Sequence, residues 1–224
     1  MESTERPEAI ADGAAAAAAA GAGTRPTRMK PGERRVHILQ TLASMLEAPK
    51  GEKITTAALA ARLGVSEAAL YRQFASKAQM FEALIEFIET TFFSLVNQIA
   101  AKEPDGVLQA RAIGMMLLNF AARNPGMTRV LTGEALVGEH ERLTERVTQM
   151  LERIEASIKQ CLRLALLEAN AGGAATPLPA DYDPGVRASL LVSYVVGRWH
   201  RFARSGFTRA PSEQADAQLH LILQ

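Results

Sequence analysis

Thr55-Thr56-Ala57-Ala58-Leu59-Ala60-Ala61-Arg62-Leu63-Gly64-Val65-Ser66-Glu67-Ala68-Ala69-Leu70-Tyr71-Arg72-Gln73-Phe74 is the stretch on which the reading of this chain turns. Thr55 or Thr56 offers a hydroxyl cap to a short helix carrying Leu59, Ala60 and Leu63. Gly64 stands where that helix has to stop, because glycine takes a left-handed backbone without a Cβ penalty. Ser66 is a good N-cap for a second helix, and Val65 and Leu70 have the spacing of a hydrophobic staple across its start. The open side of that second helix carries Glu67, Ala68, Tyr71, Arg72 and Gln73. The pattern is a helix-turn-helix. Its small residues permit approach to base edges, and Tyr71 and Arg72 are placed to reach phosphates. A plain helical hairpin inside a bundle has the same spacing, so the neighbouring residues have to separate the two.

They do so on both sides. Ser76 and Gln79 have capping-box spacing, so a third helix starts there and puts Lys77 in its first turn, where an ammonium and a helix N-terminus together suit a phosphate. The run Leu70-Tyr71-Arg72-Gln73-Phe74-Ala75-Ser76-Lys77 resembles the signature of the TetR family of DNA-binding regulators, a helix-turn-helix ending in Leu-Tyr-x-x-Phe-x-Ser-Lys. The resemblance implies an all-α, TetR-like fold: an N-terminal three-helix DNA-binding domain and a C-terminal helical dimerisation domain.

Charge is distributed to match. The chain of 224 residues has a net charge of only +1, but Arg28 to Gln79 holds nine Lys/Arg against four Asp/Glu. The segments before and after are each slightly acidic, so the basic charge is concentrated where a nucleic acid would dock. Hydrophobic residues make up 48%, enough for a substantial core. A single cysteine, Cys161, excludes an internal disulfide framework and fits a reducing compartment. No apolar run reaches the length of a membrane span, so no membrane partner is expected.

In chain order, residues 1–30 read as a disordered low-complexity tail with an alanine run from Ala14 to Ala20. Glu2, Glu5, Glu8 and Asp12 disfavour a signal peptide there. Arg25, Arg28 and Lys30 at its end are candidates for touching DNA, as N-terminal arms do elsewhere. Pro31 opens a helix with Val36, Leu39, Leu42, Ala43 and Leu46 on one stripe, ending before Pro49. Arg34 and Arg35 near its start are candidate phosphate contacts. Ser76 to about Ala101 is a long helix whose stripe runs Phe81, Leu84, Ile85, Ile88, Phe92, Leu95, Val96 and Ile99. Phe87 and Phe93 lie off that stripe, as aromatics do when they pack on a neighbour or mark a groove. Asp105 to Arg123 places Leu108, Ala112, Ile113, Met116, Leu117 and Phe120 inward, and Asn124-Pro125-Gly126 stops it. A short helix or turn follows over Met127 to Thr132.

Ala135 to about Asn170 reads as one long helix with near-heptad spacing from Leu143 to Ala165, coiled-coil-like in pattern but short for a free-standing coiled coil. A loop from Gly172 to Asp183 precedes a helix over Pro184 to Ser205, where Ala188, Ser189, Ser193 and Gly197 would let another helix approach. Pro211 starts a last short helix to Gln224. About nine helices and no strand are expected. The expected domains are residues 31–76, the DNA-binding domain, and 77–224, the dimerisation and partner-binding domain.

Catalytic chemistry is not visible. His37, His140, His200 and His220 are scattered without metal-ligand spacing. There is no Gly-x-Ser-x-Gly, phosphate-binding glycine loop or dinucleotide fingerprint. Cys161 lies in an apolar stripe and should be inert. No catalytic residue, metal or cofactor is therefore assigned, and the chain reads as a non-enzyme.

Over residues 31–224 the chain resembles a narrower branch of the TetR family, the nucleoid occlusion factors. The residues that carry this are Ile54-Thr55-Thr56-Ala57, Gly64 to Arg72, Leu84-Ile85-Glu86-Phe87-Ile88-Glu89, Arg123-Asn124-Pro125-Gly126-Met127-Thr128-Arg129-Val130-Leu131-Thr132-Gly133 and Phe207 to Pro211. The resemblance implies a cytoplasmic, nucleoid-associated homodimer on specific sites in double-stranded DNA. It also implies that the C-terminal tail of the division protein FtsZ docks between the fourth and fifth helices. Carried over, the DNA-facing residues are Thr55, Thr56, Ser66, Glu67, Ala68, Tyr71, Arg72 and Lys77, and the partner groove includes Phe87, Met116, Arg123 and Asn124. Leu95 and Asn119 depart from that branch, which has a basic residue and a glycine there. The alternative reading is a TetR-type repressor released by a small apolar ligand held among Met115, Met116, Phe120, Met150 and Trp199.

Overall fold

The computed structural model describes residues 31–48, 54–172 and 178–224. The N-terminal tail and the middle of the loop after Gly172 lie outside the described residues. The chain divides into two compact units, one through Arg34 and one from Arg35 to Gln224. Of the first, only the opening turn of a helix is described; the rest of this section concerns the second.

Nine α-helices and one short 3-10 turn occur among the described residues, and no strand. They are α1 (Pro31–Met45), α2 (Thr56–Leu63), α3 (Glu67–Tyr71), α4 (Lys77–Lys102), α5 (Gly106–Arg123), α6 (Pro125–Leu131), α7 (Glu141–Asn170), α8 (Pro184–Arg204) and α9 (Ala215–Leu223), with the 3-10 turn at Glu134–Leu136. We call α1–α3 the head and α4–α9 the body.

Local chemistry sets most of these boundaries. Thr55, not Thr56, caps α2, its hydroxyl accepting the Ala58 N–H at 3.1 Å, and Gly64 ends the helix at φ +65°. Ser66 caps α3 through the Ala69 N–H at 3.3 Å. Ser76 caps α4 through the Gln79 N–H at 3.1 Å, while the Gln79 side chain reaches back to the Ala75 N–H at 2.8 Å, one residue earlier than a capping box requires. Asp105 and Asp183 start α5 and α8 in the same manner.

Some expectations need correction. The run from Ala135 is not one helix: Gly133 and Gly138 take positive φ, the chain turns, and α7 begins only at Glu141 with the His140 ring nitrogen accepting the Arg142 N–H. Pro211 does not open a helix; turns carry the chain to α9 at Ala215. On α1 the buried stripe uses Ile38 where Val36 was expected, and Val36 is exposed. Leu108 is exposed because α5 turns Val107, Ala110, Ile113, Gly114, Leu117 and Leu118 inward. Val65 stays 42% exposed over a fully buried Leu70, so the staple buries little of it. Ala188 faces the chain's own core, leaving Ser189, Ser193 and Gly197 on the open side of α8.

One continuous core runs from Ile38 and Leu42 through Leu59, Leu70 and Phe74 to Leu223, so the division expected after Ser76 is not a gap in packing. At its centre Trp199 is fully buried and donates its indole N–H to the Leu117 carbonyl at 3.2 Å. Phe92 meets Phe120 edge-on at 4.7 Å and stacks near Trp199 at 6.3 Å, which locks α4, α5 and α8 together. Gly106 is needed where α5 crosses α7, because a Cβ there would run into the Cys161 carbonyl.

Candidate nucleic-acid interface and partner groove

α2 and α3 present a small exposed face. Ser66, Glu67, Ala68 and Arg72 are exposed, Tyr71 is 46% exposed, and Ala68 leaves open space at the start of α3. Within that face three groups are linked. The Thr56 hydroxyl donates to the Glu67 carboxylate at 2.6 Å and accepts from the Tyr71 hydroxyl at 3.4 Å. This chain pins α2 to α3. Thr55 and Ser66 spend their hydroxyls on helix caps. Arg72 keeps only a long bond, 3.4 Å, to the Ala68 carbonyl and remains open. Arg62 at the end of α2 is exposed as well and was not singled out from sequence, where a lone arginine in an alanine-rich helix gives no signal.

Two basic residues are used differently from expectation. Lys77 does sit in the first turn of α4, but its ammonium is held by Glu139 at 2.6 Å, with both side chains largely covered. Arg35 donates to the Gln73 carbonyl and lies 4.1 Å over the Phe74 ring, so it closes the head instead of standing free for a phosphate. Glu139 could not be found from spacing, because it is 62 residues from its partner.

α4 and α5 are joined by a short turn and run side by side. The Phe92–Phe120 contact sets their register. Counting in turns from that contact puts Phe87 level with Arg123 and Asn124, and Met116 roughly 10 Å further along beside Leu95. Phe87, Thr91 and Leu95 recur at helical spacing on α4, as Met116, Asn119 and Arg123 do on α5. Phe87 is 50% exposed and Arg123 is exposed. Met116 and Asn124 are half-buried, and the Asn124 amide donates to the Phe120 carbonyl at 2.8 Å. Helix counting from the Phe92–Phe120 contact thus places an exposed aromatic and an exposed cation toward the same end of the α4–α5 pair. Asn124 closes α5 and opens α6.

Met150 and Trp199 are buried to within 1%. An open cleft of about 430 Å³ between α4 and α7 is lined by Glu82, Glu89, Arg142, Glu145, Arg146, Gln149 and Arg153. It is polar and internally paired, with Arg142–Glu82 at 2.5 Å and Arg146–Glu89 at 3.3 Å. Burial pushes the Cys161 thiol above its ordinary range. No helix among the described residues is long and apolar enough to cross a membrane.

A helix-turn-helix head on a helical body with these exposed faces defines a regulator of the TetR type. Residues 51–84 match the family described as bacterial regulatory proteins of the tetR family, and residues 105–224 match the SlmA-like tetracyclin repressor-like C-terminal domain. The chain is 49% identical over 191 residues to the nucleoid occlusion factor SlmA of Idiomarina loihiensis, covering 85% of this chain and 94% of that protein. It is 47% identical over 190 residues to the SlmA of Alteromonas mediterranea, with the same coverage. Among solved structures, AibR in complex with isovaleryl coenzyme A and operator DNA aligns at a TM-score of 0.64 and 17% identity, over 84% of this chain and 97% of that one, which shows the shared fold. The chain belongs to the SlmA family.

Proposed function

We propose that this protein is a nucleoid occlusion factor: a homodimer that binds specific sites in chromosomal double-stranded DNA and inhibits FtsZ ring assembly over the nucleoid. The observation that carries this reading is the likeness to the SlmA proteins through the body as well as the head. In this reading the head, residues 31–76, reads DNA with the start of α3. Ala68 approaches bases, Tyr71 and Arg72 take phosphates, and Glu67 accepts from a base donor or holds Thr56. Thr55 and Ser66 act indirectly by capping the two helices. Lys77 reaches a phosphate only by leaving Glu139. The body, residues 77–224, dimerises and holds the partner.

The dimer face is α7 and α8. Leu164, Leu167, Val186 and Leu190 are 44–65% exposed there, and a Cβ on Gly197 would meet nothing within 4 Å. A second copy laid on this face would cover those residues and give the exposed glycine a use, close helix approach. The strip of Phe87, Met116, Arg123 and Asn124 takes the FtsZ tail, with Phe87 as the apolar anchor and Arg123 meeting acidic groups. The cleft between α4 and α7 is polar and internally paired, which favours this over a repressor released by an apolar ligand.

Light scattering of FtsZ polymerisation tests the reading, with the full chain alone and with duplexes it has selected from a randomised DNA pool. Inhibition that grows with selected DNA and is lost in Phe87→Ala or Arg123→Ala is expected. DNA binding without any effect on FtsZ would overturn it.

A further inference from the structure

Lys77 is out of place by the rules of its own helix. It stands at the first position of α4, where the helix dipole is positive and an acidic side chain is favoured, and that first turn holds no acidic residue. The turn also leaves backbone N–H groups that the helix cannot bond, and the Ser76 hydroxyl takes only that of Gln79. An ammonium beside such groups calls for an anion. In this structure the anion is internal. The Glu139 carboxylate lies 2.6 Å from the Lys77 Nζ, with the lysine side chain 22% and the glutamate 11% exposed. Among the described residues no other carboxylate pairs with Lys77, and the Phe81 ring centroid is 5.7 Å from its ammonium.

The two partners are held differently. Glu139 is fixed by its backbone: Gly138 before it takes φ +74°, its own N–H donates to the Leu136 carbonyl at 3.0 Å, and His140 after it caps α7. Lys77 ends in a flexible four-carbon stem with three rotatable donors, one of which goes to Glu139. The ammonium is therefore the partner that can move. Arg35 makes the contrast. It is tied to a backbone carbonyl and an aromatic ring, and a phosphate can replace neither. A carboxylate can be exchanged for a phosphate, because both offer the ammonium an ionised oxygen.

We infer that Glu139 is a built-in competitor for the DNA backbone: it holds Lys77 until a phosphate reaches the start of α4, and the ammonium then passes from the carboxylate to the phosphate. The inference rests on the DNA-binding function proposed above and names a residue of the body that tunes that interface. Glu139 lowers affinity, because one charge-assisted bond breaks for the one that forms. It also keeps the pair neutral until the exchange, so Lys77 adds nothing to the attraction of a head that has not yet docked. A glutamate that served only to fasten its turn to α4 would stay paired on DNA, and binding affinities distinguish the two cases.

The test compares full-length wild type, Glu139→Gln, Lys77→Gln and the double variant on one duplex that the wild type selects from a randomised pool, each at several salt concentrations. Glu139→Gln should bind about tenfold more tightly than wild type, whereas the same substitution in the Lys77→Gln background should gain less than about threefold. A pair that stays intact on DNA predicts equal gains in the two backgrounds, because only the loss of the same carboxylate is then felt; equal gains overturn the inference, as does a Glu139→Gln that binds no more tightly than wild type. Salt gives a second reading. Removing Lys77 from Glu139→Gln should flatten the slope of log affinity against log salt by about 0.9, the loss of one phosphate contact. An unchanged slope places Lys77 off the phosphate and also overturns the inference. Circular dichroism and sedimentation accompany each variant. If Glu139→Gln does not fold, Glu139→Asp decides, since the shorter acid draws back from the ammonium: a smaller gain that depends on Lys77 supports the exchange, and no gain overturns it. A wild type that selects no duplex overturns the DNA reading itself, and this inference with it; equal gains on a selected duplex overturn the exchange alone.

Discussion

Around the helix-turn-helix, Thr55, Ser66 and Ser76 each accept a backbone N–H three residues ahead, and α2 and α3 are 8 and 5 residues long. In the body, the decisive interactions join residues far apart: Trp199 to the Leu117 carbonyl, Phe92 between Phe120 and Trp199, Arg129 to the end of α1, Lys77 to Glu139. The head is thus specified one helix end at a time, and the body by a few side chains that each fasten several helices. Short helices need such caps, since they bury few residues of their own: Leu59 and Ala60 on α2, Leu70 on α3. The long helices carry caps as well, at Ser76, Asp105, His140 and Asp183, but rely chiefly on stripes of buried residues.

Breaking the body should therefore cost more than breaking the head. Trp199→Ala removes the fully buried ring shared by α4, α5 and α8 and leaves the Leu117 carbonyl without its donor, so unfolding free energy should fall by about 4 kcal/mol. Urea denaturation measures it; a loss below about 1 kcal/mol would mean the centre repacks and is not a fastening point. Next in size is Gly126→Ala at the seam between the two regions. The new Cβ meets the Ala43 carbonyl, a backbone atom that cannot swing aside, and the cost should be about 2 to 3 kcal/mol. Gly133→Ala is the contrast, since its Cβ would meet nothing within 4 Å and only the φ of +76° opposes it. Equal losses in the two variants would show that backbone conformation, not the seam, sets the penalty.

This division also governs what the sequence makes legible. The caps, Gly64 and the stripe from Leu143 to Ala165 are local patterns, so the helix-turn-helix and most of α7 follow from reading a few residues at a time. Phe87 declared itself by lying off its stripe, and it is half-exposed. What could not be read depends on partners distant in sequence. Lys77 has the position of a phosphate ligand, but Glu139 takes its charge across 62 residues. Arg35 has the look of a free basic residue until Gln73 and Phe74 fold over it. Val36 and Ile38 both fit a helical stripe, and only packing selects Ile38. Arg129 stands beside Val130 and Leu131 in a run that is buried almost whole, and a lone charge in an apolar stretch was the available signal. The break before Glu141 hides because the residues from Ala135 continue an apolar pattern, and the positive φ of Gly133 and Gly138 decides against it.

A single cap in the head gives a smaller effect than either body variant. Ser66→Ala deprives the Ala69 N–H of its acceptor and should cost about 1 kcal/mol. Because α3 has only 5 residues, DNA affinity should fall with it, by roughly fivefold if the whole of that loss is felt in binding. Titration of a selected duplex at fixed salt measures it. Ser66→Asp, which can cap as well, should restore stability, whereas affinity should stay low because the carboxylate faces phosphates. Full recovery of both would place Ser66 away from the DNA.

The smallest effect concerns a cap in the body, Asp183 at the start of α8. Its carboxylate accepts from the Val186 N–H at 3.1 Å and the Gly185 N–H at 2.6 Å, and these bonds hold its pKa below the ordinary value, with Lys159 and Arg163 nearby contributing in the same direction. A carboxyl whose folded pKa is depressed stabilises the fold above its unfolded pKa and loses that contribution as the pH falls through the folded one. Asp183→Asn keeps a capping oxygen but no charge. It should therefore lower Tm slightly at neutral pH, and the difference from wild type should shrink as the pH is taken down through the carboxylate range and below it. The site is open to solvent, so added salt should also narrow the gap at neutral pH by screening Lys159 and Arg163. A difference that stays constant across that range would mean that the shape of the cap, not its charge, carries the contribution, and the body would then end its helices by the same neutral chemistry as Thr55 and Ser66 in the head.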